Sequence, residues 1–254
     1  MLEARGLSKT FHGITAVRDV SFVVRPGEVL GYLGPNGSGK TTTVNILAGL
    51  LQPSTGEVLL DGVRLDHDPV TYKRRLGYVP ELAYVYPHLT GLEYLLFVGR
   101  LRGISDRTIE ARARHVLNLL GLESELFTPM ASYSKGMRQK VLIAAALLHN
   151  PDVVIFDEPL SGLDLGAALV FRSVVAELAA AGKIIFYSSH VLEVVEKLCN
   201  RVLILSRGNV IADDSVANLR ERTHTATLEH VFAQLATEHD SEAVAHQIVE
   251  AIAR

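Results

Sequence analysis

The chain has 254 residues, of which 48% are apolar and 21% charged, and a formal net charge of −3. This composition predicts a globular core and excludes wholesale disorder, while the length allows one large α/β domain or two small ones. Because 25 Lys and Arg residues nearly balance 28 Asp and Glu residues, we expect no nucleic-acid partner, which would require a basic face. The single cysteine, Cys199, excludes a disulfide framework or a cysteine-based zinc site within one chain.

The mean hydropathy of +0.22 is high and raises the question of a membrane span. The longest uninterrupted apolar run, Val141 to Leu148, is less than half of the about 20 residues that a spanning helix needs. Residues 1–9 show no apolar stretch of the signal-peptide type. We therefore expect no transmembrane helix and assign the apolar surplus to the core or to a surface that meets another molecule.

The first third of the chain is typical of strands and turns. Val20 to Val24 and Glu28 to Leu33 are predicted strands, and short apolar runs of this kind favour buried parallel strands. Lys40 to Leu51 is a predicted helix that ends before a proline. Glu57 to Leu60 is a further predicted strand, followed by a tight turn at Asp61-Gly62.

From about residue 90 to residue 150 the pattern changes to helices. One apolar stripe contains Leu92, Leu95, Leu96 and Val98, and a second contains Ile109, Ala113, Val116, Leu117 and Leu120. Gly121 is a C-terminal stop signal for the second helix, and residues 134–148 are predicted to form a third helix.

Strands and helices then alternate again. The predicted elements are a strand at 153–156, a helix at 166–181, a strand at 184–187, a helix at 191–198 and strands at 202–205 and 210–211. The simplest architecture is an α/β fold with a mostly parallel sheet, interrupted by a helical insert.

A glycine-rich segment lies between the strand ending at residue 33 and the following helix. Residues 34–41 read Gly-Pro-Asn-Gly-Ser-Gly-Lys-Thr and fit G-x-x-x-x-G-K-[ST], a loop whose backbone N–H groups bind phosphate oxygens. Lys40 would reach the β- and γ-phosphates, and the Thr41 hydroxyl would bind Mg²⁺. The candidate nucleotide-binding residues here are Gly34, Pro35, Asn36, Gly37, Ser38, Gly39, Lys40, Thr41 and Thr42.

Two acids follow the apolar strand at 153–156. Asp157 fits the role of a Mg²⁺ ligand, and Glu158 is placed to orient and polarise an attacking water. An acid pair after a strand is often only the start of a loop, but a phosphate loop in the same chain favours the functional interpretation. Together the two motifs predict a nucleotide hydrolase, a class that includes small kinases, GTPases and helicases.

The segment Tyr133 to Gln139, at the start of a predicted helix, resembles the signature motif of ATP-binding cassette (ABC) proteins, usually written L-S-G-G-Q. Ser134 and Gly136 match its most diagnostic positions, whereas Tyr133, Lys135 and Met137 depart from it, in a way that resembles ABC-2-type exporter ATPases. A serine at a helix N-terminus beside a glycine offers a hydroxyl and free N–H groups to an anion. In isolation, the same residues would be read as an ordinary helix cap.

Three further segments resemble the family in the same order. Residues 161–164 resemble the D-loop and include Asp164, His190 resembles the switch histidine, and Phe11 resembles the aromatic residue that stacks on adenine. Each alone would be read as a turn, a neighbour of a helix cap or a core residue. The resemblance spans about residues 1–215 and implies a P-loop NTPase core, with an antiparallel β part and an inserted α-helical subdomain.

Glu81, in the segment Gly77-Tyr-Val-Pro-Glu, resembles the Q-loop residue, although most family members have Gln there. Both residues offer a carbonyl-type oxygen to Mg²⁺ and water, but Glu adds a charge. Glu81 is therefore a candidate both as a metal ligand and as a catalytic residue, and we interpret the substitution as a mark of the ABC-2-type subfamily.

The resemblance implies an ABC ATP-binding domain over residues 1–220, with the helical subdomain at about 82–150, and a helical tail at 221–254. In this family two cassettes face head to tail, with ATP between the phosphate loop of one and the signature motif of the other. It implies a second copy of the cassette, ATP and Mg²⁺ as cofactors, and a separate transmembrane permease. The chain would then lie at the cytoplasmic face of the cell membrane, held there by the permease.

Aromatic and apolar side chains are concentrated near the expected permease groove, between residues 81 and 101. They are Tyr84, Val85, Tyr86, Leu92, Tyr94 and Phe97, and they suit either an interface or a helix core.

In the tail, residues 243–253 predict a helix. The histidines of the tail lack the i, i+4 spacing of a helical metal pair, which favours solvated surface; they are His224, His230, His239 and His246.

Three functions compete at this point. The first is the ATP-hydrolysing subunit of an exporter, which Lys135, Met137 and Glu81 favour. The second is an importer subunit. The third is an ABC ATPase of translation or DNA repair, although such proteins carry two cassettes per chain or a long coiled-coil insert, and neither pattern is seen here. The permease would select the transported substrate.

Overall fold

The computed structural model describes residues 1–225 and 227–236, which form two β-sheets and the helices that cover them. The strands are β1 (Leu2–Phe11), β2 (Ile14–Val24), β3 (Val29–Leu33), β4 (Thr55–Leu60), β5 (Val63–Arg64), β6 (Leu76–Val79), β7 (Val153–Asp157), β8 (Ile184–Ser188), β9 (Arg201–Ser206) and β10 (Asn209–Ser215). The helices are α1 (Lys40–Leu47), α2 (Pro69–Arg74), α3 (Gly91–Leu101), α4 (Asp106–Leu119), α5 (Lys135–Leu147), α6 (Leu165–Ala180), α7 (Leu192–Leu198), α8 (Val216–Thr223) and α9 (Leu228–Ala236).

The larger sheet has the strand order β10-β9-β3-β8-β7-β6 and is parallel except for β10. Every residue of β3, β7 and β8 is buried, as expected for strands covered on both faces. Because β8 lies between β3 and β7, the loops after these three strands meet at one edge of the sheet. In this register Asp157 of β7 pairs with Ser188 of β8.

The smaller sheet is antiparallel, with the order β2-β1-β4-β5. The predicted turn at Asp61-Gly62 is confirmed, and both residues have positive φ, as a tight hairpin turn requires. The α/β fold with a mostly parallel sheet, an antiparallel part and a helical insert is also confirmed.

Some elements differ from the sequence-based expectation. The strands β1 and β6 and the helix α2 were not predicted. In β1, buried and exposed residues do not alternate regularly, because the register of its pairing with β2 shifts between Ala4 and Thr10. The predicted helix at 40–51 is too long, because α1 ends at Leu47. Gly49 has a φ of 66°, and the N–H of Leu50 donates to the Asn45 carbonyl at 2.9 Å, which closes the helix end.

The helices α3, α4 and α5 lie between residues 82 and 150 and share an apolar core of their own. Leu95, Ile109, Leu117 and Val141 are buried in it. The predicted stop at Gly121 is confirmed, since this residue follows α4 with a φ of 71°.

The expected boundary between residues 220 and 221 falls within α8. After it, α9 packs against α7 and β9, and Leu228 and Val231 are fully buried in the core beside the larger sheet. The predicted helix at 243–253 lies outside the described residues, as do His239 and His246.

Among the residues described, no helix combines the length and the apolar character that crossing a membrane requires.

Candidate functional site

The loop between β3 and α1 has the shape of a phosphate cradle. Gly37 and Gly39 have φ of 76° and 103°, which glycine adopts without steric penalty. A Cβ on Gly39 would lie 2.4 Å from the carbonyl oxygen of Ala16, so the loop packs directly against β2. The antiparallel sheet thus forms one wall of the site.

Lys40, the first residue of α1, folds back over this loop. Its Nζ donates to the carbonyl oxygens of Gly34 at 2.5 Å and Pro35 at 3.1 Å. Burial lowers the pKa of the Lys40 ammonium, and the carboxylates of Glu158, Asp157 and Glu81 act in the opposite direction. The Lys40 ammonium is therefore held in the phosphate cradle, where the three carboxylates favour its charged form.

Asp157 is the last residue of β7, and only 4% of it is exposed. Burial raises the pKa of its carboxyl to about 6, with smaller contributions of the same sign from Glu81 and Glu158. A carboxylate that is costly to keep charged when buried is stabilised when a cation binds beside it.

Glu158 has a left-handed backbone, with a φ of 47°. Its N–H donates to the carbonyl oxygen of Ser188 at 3.0 Å. The side chain, 13% exposed, accepts from Nδ1 of His190 at 2.7 Å through Oε1, and from the Ser189 hydroxyl at 3.2 Å through Oε2. Two neighbours from the loop after β8 therefore orient the carboxylate.

These groups surround a cavity of about 370 Å³. It is lined by Phe11, Ala16, Asn36, Gly37, Gly39, Lys40, Thr41, Thr42, Glu81, Asp157, Glu158, Ser188 and His190. Apart from Ala16 and Ser188, each lining residue is a candidate from the sequence, and the candidates come from five separate segments of the chain.

Phe11 reaches the rim of this cavity from the hairpin between β1 and β2. His12 and Gly13 form the turn with positive φ, and Phe11 pairs with Ile14 across it. The ring is 41% exposed, and Nζ of Lys9 lies 5.3 Å from its centroid. An exposed aromatic face at the rim is suited to stacking on a base.

Other candidates lie beside the cavity. Gly34, Pro35 and Asn36 line a smaller cavity of about 190 Å³, which they share with Ser189, His190, Leu192 and Phe232. Ser38 is buried in the loop.

Ser134, Gly136 and Asp164 are not among the residues that line either cavity. Ser134 caps α5: its hydroxyl accepts from the Met137 N–H at 3.2 Å, and the Met137 sulfur accepts from the Ser134 N–H at 3.4 Å. Asp164 caps α6 by accepting from Ala167 N–H at 2.8 Å. Within one chain these residues therefore have helix-capping or packing contacts.

The donors proposed for a metal are suited to Mg²⁺. Thr41, Asp157 and Glu81 line the same cavity and offer a hydroxyl and two carboxylates. Mg²⁺ prefers hard oxygen ligands and is commonly bound by one or two carboxylates together with phosphate oxygens. No group of three or more His, Cys, Asp or Glu that could form a complete metal cage occurs within residues 1–225 and 227–236.

Three neighbours of the site were not among the sequence-based candidates. Ser188 ends β8 at the same edge as Asp157, and its position after an apolar strand was an available signal. Ser189 follows it and contacts Glu158. Ala16 reaches the loop only through its backbone, and no side-chain pattern indicates such a contact.

Comparison with known proteins places this geometry in a family. The model of the ABC transporter family matches residues 17–161. The chain is 38% identical to the ABC transporter ATP-binding protein NatA of Bacillus subtilis, over 86% of this chain and 89% of NatA. It is 34% identical to the linearmycin resistance ATP-binding protein LnrL of the same organism, over 87% of this chain and 71% of LnrL.

Solved structures agree. An ATP-binding subunit of an ABC transporter superposes with a TM-score of 0.87 at 35% identity, covering 92% of this chain and 98% of that one. The cassette MJ0796, in a dimeric post-hydrolysis state bound to ADP and Pi, has a TM-score of 0.78 at 28% identity and covers 85% of this chain. With the phosphate loop, the acid pair and the histidine around one cavity, these matches identify the chain as a member of the ABC transporter family: an ATP-binding subunit that hydrolyses ATP.

Proposed function

We propose that the chain energises a membrane exporter and acts as a dimer of two cassettes attached to a separate transmembrane permease. The observation that carries this proposal is the separation of Ser134 and Gly136 from the cavity lined by Lys40 and Glu158. In this proposal each chain carries the two halves of an ATP site at separate places. A second copy, facing the first head to tail, would supply the missing half, and MJ0796 is dimeric in two solved structures.

Binding of ATP in the cavity rests on groups of complementary charge. The loop N–H groups and Lys40 would hold the phosphates, and Phe11 would stack on adenine. Thr41, Asp157 and Glu81 would hold Mg²⁺, which when bound neutralises charge on the phosphates. Ser134, Gly136 and Asp164 would approach the nucleotide from the second copy.

Hydrolysis requires a base beside the attacking water. Glu158 is the residue for this role, because its carboxylate lines the cavity and is oriented by His190 and Ser189. His190, whose Nδ1 contacts the Glu158 carboxylate, would sense the γ-phosphate. Binding of two ATP molecules would close the dimer, and hydrolysis would remove the bridge that holds it closed.

An exposed aromatic patch supports a permease partner. Tyr84 and Tyr86 are 78% and 57% exposed, and the Phe97 ring contacts Tyr86 edge to face at 5.7 Å. Leu92, in contrast, is a core residue. Exposed aromatic side chains in one place are typical of interfaces, and docking here would place the chain at the cytoplasmic face of the membrane.

The direction of transport is inferred from the variant motifs. Lys135, Met137 and Glu81 depart from the family consensus in the way that resembles ABC-2-type exporters. The relative LnrL is named for linearmycin resistance, which supports an export class. The permease would determine which solute is moved.

The substitution Glu158→Gln tests the dimer and the general base together. We expect ATP and Mg²⁺ to convert this variant from monomer to a stable dimer in sedimentation velocity, while kcat falls by roughly 10²- to 10⁴-fold. ADP should leave it monomeric, and the Lys40→Ala/Glu158→Gln double variant should remain monomeric with ATP. Normal turnover would refute the base assignment, and a monomer at saturating ATP would refute the dimer.

A further inference from the structure

The two predicted motifs that lie outside the ATP cavity contact each other within one chain. Nζ of Lys135, the first residue of α5, donates to the Ser161 hydroxyl at 2.5 Å. On the next residue, a Cβ at Gly136 would lie 2.4 Å from the carbonyl oxygen of Gly162. The N-terminus of α5 therefore rests on the turn that follows Glu158.

The stem of Lys135 takes part in the same contact. A Cβ at Gly162 would lie 2.9 Å from Cγ and 3.0 Å from Cδ of Lys135, and Gly162 has a φ of 84°. Glycine at position 162 thus provides both the backbone shape and the space for the lysine stem. A glycine at position 135, as in L-S-G-G-Q, would have no side chain to reach Ser161. The link is a property of the variant motif.

Ser161 is in turn fixed to the base. Its N–H donates to the carbonyl oxygen of Glu158 at 3.1 Å, and the N–H of Leu163 donates to the Leu160 carbonyl at 3.1 Å. The lysine and the serine therefore form a chain of contacts from the N-terminus of α5 to the backbone of Glu158. That backbone carries the carboxylate that lines the cavity.

We propose that Lys135 is a positioning residue that couples the two ATP sites of the dimer by joining the signature motif to the turn after Glu158 in the same chain. This inference rests on the proposed dimer. There, Ser134 and Gly136 meet the ATP held by the partner, whereas Glu158 acts on the ATP held by its own chain. The Lys135–Ser161 contact links a group at one site to a group at the other.

The test is a double-mutant cycle on the full chain, with ATP turnover measured against ATP concentration at saturating Mg²⁺. The wild type should show a Hill coefficient above 1. In Lys135→Met, which keeps an unbranched stem but removes the ammonium, we expect this coefficient to fall to about 1 and kcat to fall roughly fivefold. Ser161→Ala should have the same effect, and the double variant should be no worse than either single one.

Three controls separate coupling from damage to the fold. Lys135→Arg should restore the Hill coefficient, because it returns a cationic donor. Lys197→Met, at an exposed lysine on α7 outside both motifs, should behave as wild type. ADP affinity should stay within about twofold in every variant, since neither Lys135 nor Ser161 lines the cavity.

The outcomes are distinct from those of the dimer test. If Glu158→Gln dimerises with ATP but Lys135→Met keeps the wild-type Hill coefficient, the coupling is refuted and the proposed function is not. Multiplicative effects of the two single substitutions, or a wild-type Hill coefficient of 1, would also overturn the coupling. A monomeric Glu158→Gln would instead refute the dimer on which both proposals rest.

Discussion

The carboxyl edge of the larger sheet and the N-terminus of α5 both carry predicted nucleotide-binding residues, but they are built differently. The sheet edge collects Lys40, Asp157, Glu158 and His190 from distant segments into one cavity. The N-terminus of α5 is a single local stretch, in which Ser134 forms a helix cap and lies outside that cavity. The strand order of the sheet brings the residues of the first region together. The second region is a local structure, and its proposed ligand is the ATP bound by a second copy of the chain.

Lys40→Ala should have the largest effect on the sheet edge. Removing a charged donor from the partly buried loop where we propose that the phosphates bind should weaken ATP binding by about 10- to 100-fold, measured by titration with a fluorescent ATP analogue. Lys73→Met, at an exposed lysine of α2, is the matched control and should bind ATP normally. Unchanged affinity in Lys40→Ala would mean that the cavity is not the phosphate site.

Asp157→Asn should reveal the electrostatic strain at the same edge. The folded-state pKa of the Asp157 carboxyl, about 6, lies above the unfolded value of 3.8, so the folded protein favours the protonated form. The stability that protonation of Asp157 adds is therefore complete below pH 3.8 and is lost as the pH rises through 6. The variant without nucleotide should therefore melt on the order of 3 °C above wild type at pH 7.5, with a smaller difference at pH 5.

The control for this pH dependence is Asp106→Asn. Arg100 lowers the pKa of the Asp106 carboxyl, and both side chains are exposed. This variant should show little change or the opposite trend. A melting difference for Asp157→Asn that is the same at both pH values would argue against the raised pKa.

Ser134→Ala tests the other region. Loss of the helix cap should reduce the free energy of unfolding by about 1 kcal/mol and lower the melting temperature by a few degrees. ADP affinity should not change, because Ser134 does not line the cavity. A clear loss of ADP affinity would show that α5 contributes to the site within one chain and would remove the contrast between the two regions.

Glu81→Gln should have the smallest effect. Both side chains offer a carbonyl-type oxygen, and Glu81 is exposed at the cavity, so ATP turnover should stay within about twofold of wild type. Thr42→Ser, a conservative change in the same cavity, gives the range expected for a tolerated substitution. Loss of Mg²⁺-dependent turnover in Glu81→Gln would show that the charge of the glutamate is required.

Local signals explain why much of the site could be predicted. The phosphate loop, the acid pair and the capped N-terminus of α5 are each defined by neighbouring residues, and their strand or helix context is visible in the sequence. The end of α1 was predicted wrongly because the left-handed Gly49, rather than the later proline, terminates the helix. Ser188 was missed because its position beside Asp157 depends on the pairing of β7 with β8, which are separated in sequence by α6.

The left-handed backbone of Glu158 has a consequence for engineering. A non-glycine residue with this φ is destabilised by about 1–2 kcal/mol, and glycine would relieve that strain. Selection for thermal stability alone would therefore favour replacing the residue that we assign as the base. A stabilised form of this cassette obtained without a screen for turnover could be an ATP-binding protein that has lost its chemistry, which makes position 158 one to hold fixed in any such selection.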